Sequence, residues 1–329
     1  MPYQPEAIRQ TYDEIAAQED DFEKGQALRN EIPREFIKKY LQPSDVVLDA
    51  GGGTGLNAIL MAQRCTQVTL LDLSPRILEV AAHNIMSTGL AAKIKLIEGD
   101  ITNLHAFADA AFSFVVCVGG SLLYVQEMGS QAVHELVRVA KPGALLIVGC
   151  DAKYGFIRWL LTTGHLDDAL SAYEASQYEA GEGAYAHLYT VAELPQLLTG
   201  AGCEVLEIIS TPTLVDTWEQ NGYSTDQWQK LKALELQVCQ APELLGVGTT
   251  SSASLAKHES KAGTLTQRSL MRRQRNLTRS RQVDRHACRA AATSVRAGGA
   301  DMETARFGSA RLRAAAPTRS RTAWATACR

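Results

Sequence analysis

The sequence predicts an α/β protein built on a doubly wound, mostly parallel sheet with helices on both faces. Three observations predict it. Strand-like apolar runs recur five times between residues 46 and 148. Helix-period patterns separate them. A glycine-rich turn and two acid-bearing turns follow the first three runs. Strands that alternate with helices pair in parallel and bury both faces of their sheet.

The elements follow in order. Residues 1–44 read as a helical cap in which Ile32, Phe36, Ile37, Tyr40 and Leu41 form an apolar stripe. The core spans 45–150. Its first strand is 46–48, and Leu56, Ile59 and Leu60 share one face of the next helix. The second strand is 68–71. Ser74 then caps a helix with Pro75 at its first position, Ile77, Leu78, Ala81 and Ile85 on its apolar side, and Gly89 past its end. Strands three and four are 94–97 and 112–118. Val133, Leu136, Val137 and Ala140 form a helix face stopped by Pro142-Gly143, and 144–148 is strand five. Residues 151–189 interrupt the alternation with helical and loop patterns and read as an insertion over the site. The core resumes over 190–248. Thr190-x-x-Glu193 is a capping box for a helix with Leu194, Leu197, Leu198 and Ala201, closed by Gly202. A sixth strand, 203–209, and a helix, 224–240, complete the pattern.

Residues 249–329 lose it. After a loop-like stretch the chain is Arg, Ala, Thr and Ser with almost no Ile, Val or Phe. Such a tail buries too little apolar area to offset its ordering entropy, and disorder is expected. The net charge of −3 hides a split. Residues 1–260 carry 17 Lys and Arg against 33 Asp and Glu, a balance of −16, while residues 261–329 carry +13.

The chemistry concentrates at strand ends. The first strand runs into Asp49-Ala50-Gly51-Gly52-Gly53-Thr54-Gly55 and then a helix. Glycines allow a tight turn and close backbone approach to a ligand that meets the helix N-terminus. Alone, that loop is equally an ordinary strand-to-helix turn. Asp49 suits a cationic ligand and would repel a pyrophosphate. Asp72, about 20 residues on, is placed to accept hydrogen bonds from ribose hydroxyls. Asp100, at the end of strand three, can take an exocyclic amine. Three acids at successive strand ends ring the crevice where such sheets bind ligands.

These residues resemble the class I S-adenosylmethionine-dependent methyltransferases of the small-molecule, methyltransferase-domain type, over residues 8–248. The family's acid-x-Gly-x-Gly-x-Gly motif is matched by Asp49, Gly51, Gly53 and Gly55. Its strand-two acid falls on Asp72 within Leu-Leu-Asp-Leu-Ser-Pro, and its strand-three acid on Asp100. Lys141-Pro142-Gly143-Ala144 resembles its turn before strand five. The resemblance implies a Rossmann-like fold and S-adenosyl-L-methionine as cofactor. It assigns Gly51 and Gly53 to the cofactor's methionine and ribose region, Asp49 to its amino end, Asp72 to the ribose and Asp100 to adenine N6. Leu73 and Ile101 would flank the ring, Gly55 and Val118 complete the cofactor-binding set, and Tyr12 would cover the site.

Two departures stand out. Strand four begins Phe112-Ser113, where Phe-Asp is usual. More seriously, Leu244-Leu245-Gly246-Val247-Gly248 should lead into an apolar closing strand, and no such strand follows Thr249. The sequence therefore predicts a sheet whose seventh strand is missing or replaced, with either a frame shift near codon 249 or a natural disordered extension behind it.

The acceptor is expected to be a small molecule bound at the ends of strands four and five. Candidates there are Gly119, Gly120, Ser121, Tyr124, Asp151, His187 and Tyr189. His187 is the natural general base by ordinary pKa, with Tyr124 and Asp151 as further catalytic candidates. No metal is expected. Other classes lose ground. Cys117-Val118-Gly119-Gly120 carries neither the Pro-Pro-aromatic signature of base amino-group methylation nor the Pro beside Cys117 that cytosine-C5 chemistry wants. A nicotinamide-dependent oxidoreductase would need Gly-x-Gly-x-x-Gly, which this loop lacks. The acidic body repels nucleic acid, so an RNA-binding methyltransferase would have to use the basic tail. Seven scattered cysteines, no signal peptide and no run of ~18–20 apolar residues point to a cytoplasmic home without membrane contact.

Overall fold

The computed structural model describes residues 2–25, 27–215, 223–248 and 252–258. Two helices open the chain, α1 (Pro5–Gly25) and α2 (Ala27–Tyr40). The core then runs β1 (Val46–Ala50), α3 (Leu56–Ala62), β2 (Gln67–Asp72), α4 (Pro75–Met86), β3 (Ile94–Glu98), β4 (Phe112–Cys117), α5 (Ser121–Tyr124), α6 (Gly129–Val139) and β5 (Ala140–Cys150). An insertion of α7 (Lys153–Thr162), α8 (Leu166–Ala175) and the strands β6 (Gln177–Gly181) and β7 (Ala184–His187) follows. The chain returns through α9 (Glu193–Gly200), β8 (Cys203–Ser210), α10 (Thr225–Val238) and β9 (Ser252–His258).

Seven strands form one sheet in the order β3-β2-β1-β4-β5-β9-β8, while β6 and β7 make a separate antiparallel hairpin. Strands β1 to β5 pair in parallel. Their apolar side chains alternate between two layers, as the two-residue period of a strand requires. Leu48, Ala50, Val115, Cys117, Leu146 and Val148 face α6 and α9 through Val133, Leu136, Leu194 and Leu198. Val47, Val68, Leu70, Phe114, Val116 and Ile147 face α2, α3 and α4 through Ile32, Ile37, Met61, Ala81 and Ile85. The strand order reverses between β1 and β4, and the crevice at their C-terminal ends is the ligand position of such sheets.

The closing strand is present, which corrects the sequence-based expectation. β9 pairs antiparallel with β5, Leu146 opposite Ala256, and with β8, Val205 opposite Ala256. Its sequence, Ser-Ala-Ser-Leu-Ala-Lys-His, holds one large aliphatic residue and so carries no strand signature. Its place is fixed by two backbone ladders, and Ala256 is fully buried between them. The fold therefore continues past residue 249, and a pattern break at that codon is not where the body ends. The expected disorder of the basic tail lies outside the described residues.

Smaller corrections have local causes. α6 stops at Val139 rather than at Pro142-Gly143, because Ala140 already pairs with Phe112. The capping box at Thr190 is half made: Glu193 accepts from the Thr190 N–H, but the helix N-cap is Ala192 and no side chain caps it. The full capping box belongs to α10, where Ser224 and Gln227 satisfy each other's backbone. Ser113 replaces the usual acid without loss, donating to Asp45 Oδ1 at 2.8 Å and accepting from the Val46 N–H at 3.0 Å. No helix among the described residues is long and apolar enough to cross a membrane.

Candidate active site

The glycine loop after β1 is shaped by its own backbone. Gly51 and Gly52 both donate to the Leu71 carbonyl, at 2.7 and 3.1 Å, which ties the loop to the end of β2. Gly51 and Gly53 sit at φ +68° and +55°, where a side chain is strained. Space forbids one as well: a Cβ on Gly51 would lie 1.7 Å from Ser121 Oγ. Gly55, at φ +87°, starts α3.

Asp72 locks this loop to the next helix. Its Oδ2 accepts from the Gly53 N–H and its Oδ1 from the Ser74 N–H, each at 3.0 Å. Ser74 caps α4 by accepting from Ile77, and donates to Asp13 of α1 at 2.6 Å. Asp100 Oδ1 is held by Thr102, through its N–H and hydroxyl, and Oδ2 accepts from Tyr3 at 2.8 Å. Asp49 lies under the loop rather than in the cavity wall. It is 1% exposed and its Oδ2 has no hydrogen-bond partner among the described residues. Burial, then the Glu23 and Asp72 carboxylates, push it up to about 7 against the pull of Arg34.

One cavity, about 1500 Å³ with its open mouth included, joins these groups to residues of α5, α7 and the β6–β7 hairpin. Tyr12, Gly51, Gly53, Asp72, Leu73, Asp100, Ile101 and Val118 line it, as do Tyr124 and Asp151. Gly119, Gly120 and Ser121 line it too. His187 does not. Its ring stacks edge-on against Tyr189, and Nε2 faces Glu193 Oε1 at 3.6 Å. Alternation along β7 explains this: Ala186 faces the cavity and its neighbour His187 faces the other way. The structure gives no support to His187 as a base, which corrects that expectation.

Several wall residues carry no motif. α1 crosses the cavity with Ile8, Tyr12, Glu19 and Glu23 on one stripe, a helical spacing readable only once a cavity is known to face it. Glu23 accepts from Thr54 Oγ1 at 2.7 Å at the start of α3. Arg34 lines the wall and donates to Asn57 at 2.8 Å. Arg29 donates to Asp151 at 2.9 Å, with side chains 8% and 5% exposed. Burial outweighs that pairing and raises the Asp151 carboxyl. Gln126, at φ +50°, donates to the Tyr185 carbonyl and accepts from Gln177 at 2.8 Å, fastening the β6–β7 hairpin.

The sheet order and the placing of the glycine loop are those of the methyltransferase fold found among solved structures. Residues 47–143 match the family model described as a methyltransferase domain. The chain is 31% identical over 99 residues to a tRNA1(Val) (adenine(37)-N6)-methyltransferase of Shewanella amazonensis, covering 30% of this chain and 42% of the relative. It is 29% identical over 164 residues to a demethylmenaquinone methyltransferase of Leptospira interrogans, covering 46% and 64%. The chain thus spans about half the length of these relatives. Among solved structures, Burkholderia thailandensis 1,6-didemethyltoxoflavin-N1-methyltransferase superposes with a TM-score of 0.51 at 14% identity, over 77% of this chain and 88% of that one. S-adenosyl-L-methionine is the cofactor of this class, and the residues present fit it. An orphaned buried carboxylate oxygen on Asp49, a loop that tolerates no Cβ, and acids at two neighbouring strand ends suit a ligand with a cationic end and a ribosyl body.

Proposed function

We propose that this protein transfers a methyl group from S-adenosylmethionine to a small-molecule acceptor seated beneath the β6–β7 hairpin. One observation carries the reading: a single cavity joins the glycine loop, Asp72 and Asp100 to an end roofed by Phe156, Tyr178, Ala186 and Leu188. When bound, the cofactor supplies an electrophilic methyl on a cationic sulfur. The chain's own part is positioning. Asp72 and Asp100 would hold the ribose and adenine, Glu23 the ammonium, with Asp49 acting on it from beneath the loop through charge alone, and Arg34 the carboxylate. Leu73, Ile101 and Val118 would pack the ring. α1 shields the cavity from water, which strengthens each polar contact inside it.

The acidic body supports a small acceptor over a polynucleotide. A second reading keeps RNA, because the names of three relatives specify tRNA and the tail beyond residue 260 carries +13. Calorimetric titration of S-adenosylmethionine into the full chain tests the common premise. Saturable binding that weakens at least about tenfold in Asp100→Ala is expected, since a charge-assisted contact is worth ~1.5–3 kcal/mol. No saturable binding to folded protein defeats the proposal. Tight RNA binding that collapses with added salt would favour the second reading.

A further inference from the structure

Between the two ends of the cavity one carboxyl is left over. Glu19 lines the cavity from α1, seven residues after Tyr12 and four before Glu23. Charged and titratable groups bear on it from every side: Glu23 on α1, Arg29 on α2, Asp72 on β2, and the hydroxyls of Tyr12 and Tyr124. Its neighbours are already engaged. Glu23 holds Thr54, Asp72 holds the glycine loop, and Arg29 is ion-paired with Asp151. The Arg29 charge pulls the Glu19 carboxyl down, but its guanidinium is already held by Asp151. Burial and charge act on Glu19, and no hydrogen bond engages its carboxyl among the described residues.

The surrounding wall is aromatic. Tyr12 and Tyr124 meet edge-on at 5.6 Å, Phe156 and Tyr178 at 4.9 Å, and all four line the cavity. Aromatic faces and an uncommitted carboxylate attract a cation and repel an anion. An alcohol would leave the carboxylate buried without a counter-charge, which is costly.

Resting on the methyl-transfer reading, we propose that the acceptor is an amine, bound as its ammonium ion, and that Glu19 takes the proton that frees its lone pair. The balance closes. One N–H proton passes to the Glu19 carboxylate, leaving a neutral amine and a carboxylic acid. The nitrogen pair forms the new N–C bond while the C–S bond breaks and its electrons stay on sulfur. The products are a methylated ammonium and a neutral thioether, and the Glu19 proton leaves to solvent. Burial and the Glu23 and Asp72 carboxylates, against the pull of Arg29, hold Glu19 at about 7, a useful value for a base near neutral pH.

Matched triples of arylalkyl amine, alcohol and carboxylate test this, with phenyl, indolyl and naphthyl rings. Each is titrated at pH 8 into the full chain saturated with S-adenosylhomocysteine, followed by calorimetry and ligand-observed NMR. The amine of at least one triple should bind about tenfold tighter than its alcohol, with the carboxylate weakest. Glu19→Gln should erase that preference while keeping S-adenosylhomocysteine affinity within about threefold, well under the tenfold that marks 1.4 kcal/mol. No amine preference in any triple overturns the proposal. So does a preference that survives Glu19→Gln, or a substitution that weakens S-adenosylhomocysteine instead. Failure of the unsubstituted chain to bind S-adenosylhomocysteine defeats the methyl-transfer reading itself, and this proposal with it.

Discussion

The two ends of the cavity are built in different ways. At the glycine-loop end the wall consists of strand tips one after another, and most of its polar groups bond to backbone: Asp72 to Gly53 and Ser74, Asp100 to Thr102, Gly51 and Gly52 to Leu71. At the acceptor end the wall comes from α1, α2, the end of β5 and a distant hairpin, and side chain meets side chain: Arg29 with Asp151, Tyr12 with Tyr124, Phe156 with Tyr178. Backbone-anchored geometry follows from local sequence. Side-chain geometry follows from tertiary packing and is free to vary. The first arrangement suits a constant cofactor and the second a particular acceptor.

The largest test concerns the sheet on which both ends stand. β9 covers the open edges of β5 and β8, and exposed edges invite association with other chains. A chain ending after residue 259 should keep its melting temperature and cofactor binding. One ending after 248 should aggregate or lose its cooperative thermal transition, and an unchanged transition would show that β9 is dispensable.

Next in size is the glycine loop. Gly51→Val places a branched side chain at φ +68° against Ser121. Cofactor affinity should fall at least about 100-fold, or ~2.7 kcal/mol by calorimetry, since loop and ligand then compete for one space. Amine binding at the far end should change much less. If both ends weaken alike, the cavity behaves as one unit and the contrast between its ends is lost.

That contrast also explains what the sequence could reveal. The acids at 49, 72 and 100 and the glycines at 51, 53 and 55 are legible because each stands at a fixed offset from an apolar strand. The layered sheet is legible because β1 to β5 are apolar runs. β9 is not, since Ser and Ala suffice where two neighbouring ladders supply the order. Glu19 and Arg29 are invisible for another reason: nothing local tells which face of α1 or α2 meets a cavity. His187 fails because the alternation of a hairpin absent from the sequence reading decides which way it points.

A third test probes the acceptor end directly. Arg29 and Asp151 are both buried, so removing one leaves an uncompensated charge. Arg29→Met should cost ~3–5 kcal/mol in urea unfolding, and the double variant Arg29→Met with Asp151→Leu should recover most of that loss. Should the double variant be no better than the single one, the pair would be holding the α2–β5 packing by more than its charge.

The smallest test uses pH and returns to the cofactor end. The Asp49 carboxyl titrates near 3.9 in an unfolded chain and is pushed up to about 7 in the fold, by burial first and by Glu23 and Asp72 next. A raised carboxyl favours the protonated fold. Its contribution is complete below pH ~4 and is lost as pH climbs toward and past 7. Glu19, also raised to about 7, adds to the slope in the same window. The opposing carboxyls act elsewhere: Glu35, Glu135 and Glu193 are lowered by their partners, so their share is lost on acidification instead. The protein free of cofactor should therefore lose stability from pH 5 to 8, by at most ~1.4 kcal/mol per pH unit for each raised group. Asp49→Asn should flatten that slope and raise the melting temperature at pH 8 while weakening cofactor binding. An unchanged slope would mean that Asp49 keeps its charge in the fold. The orphaned oxygen beneath the glycine loop would then be an anion awaiting a cation, rather than a protonated filler that the cofactor's ammonium must first ionise.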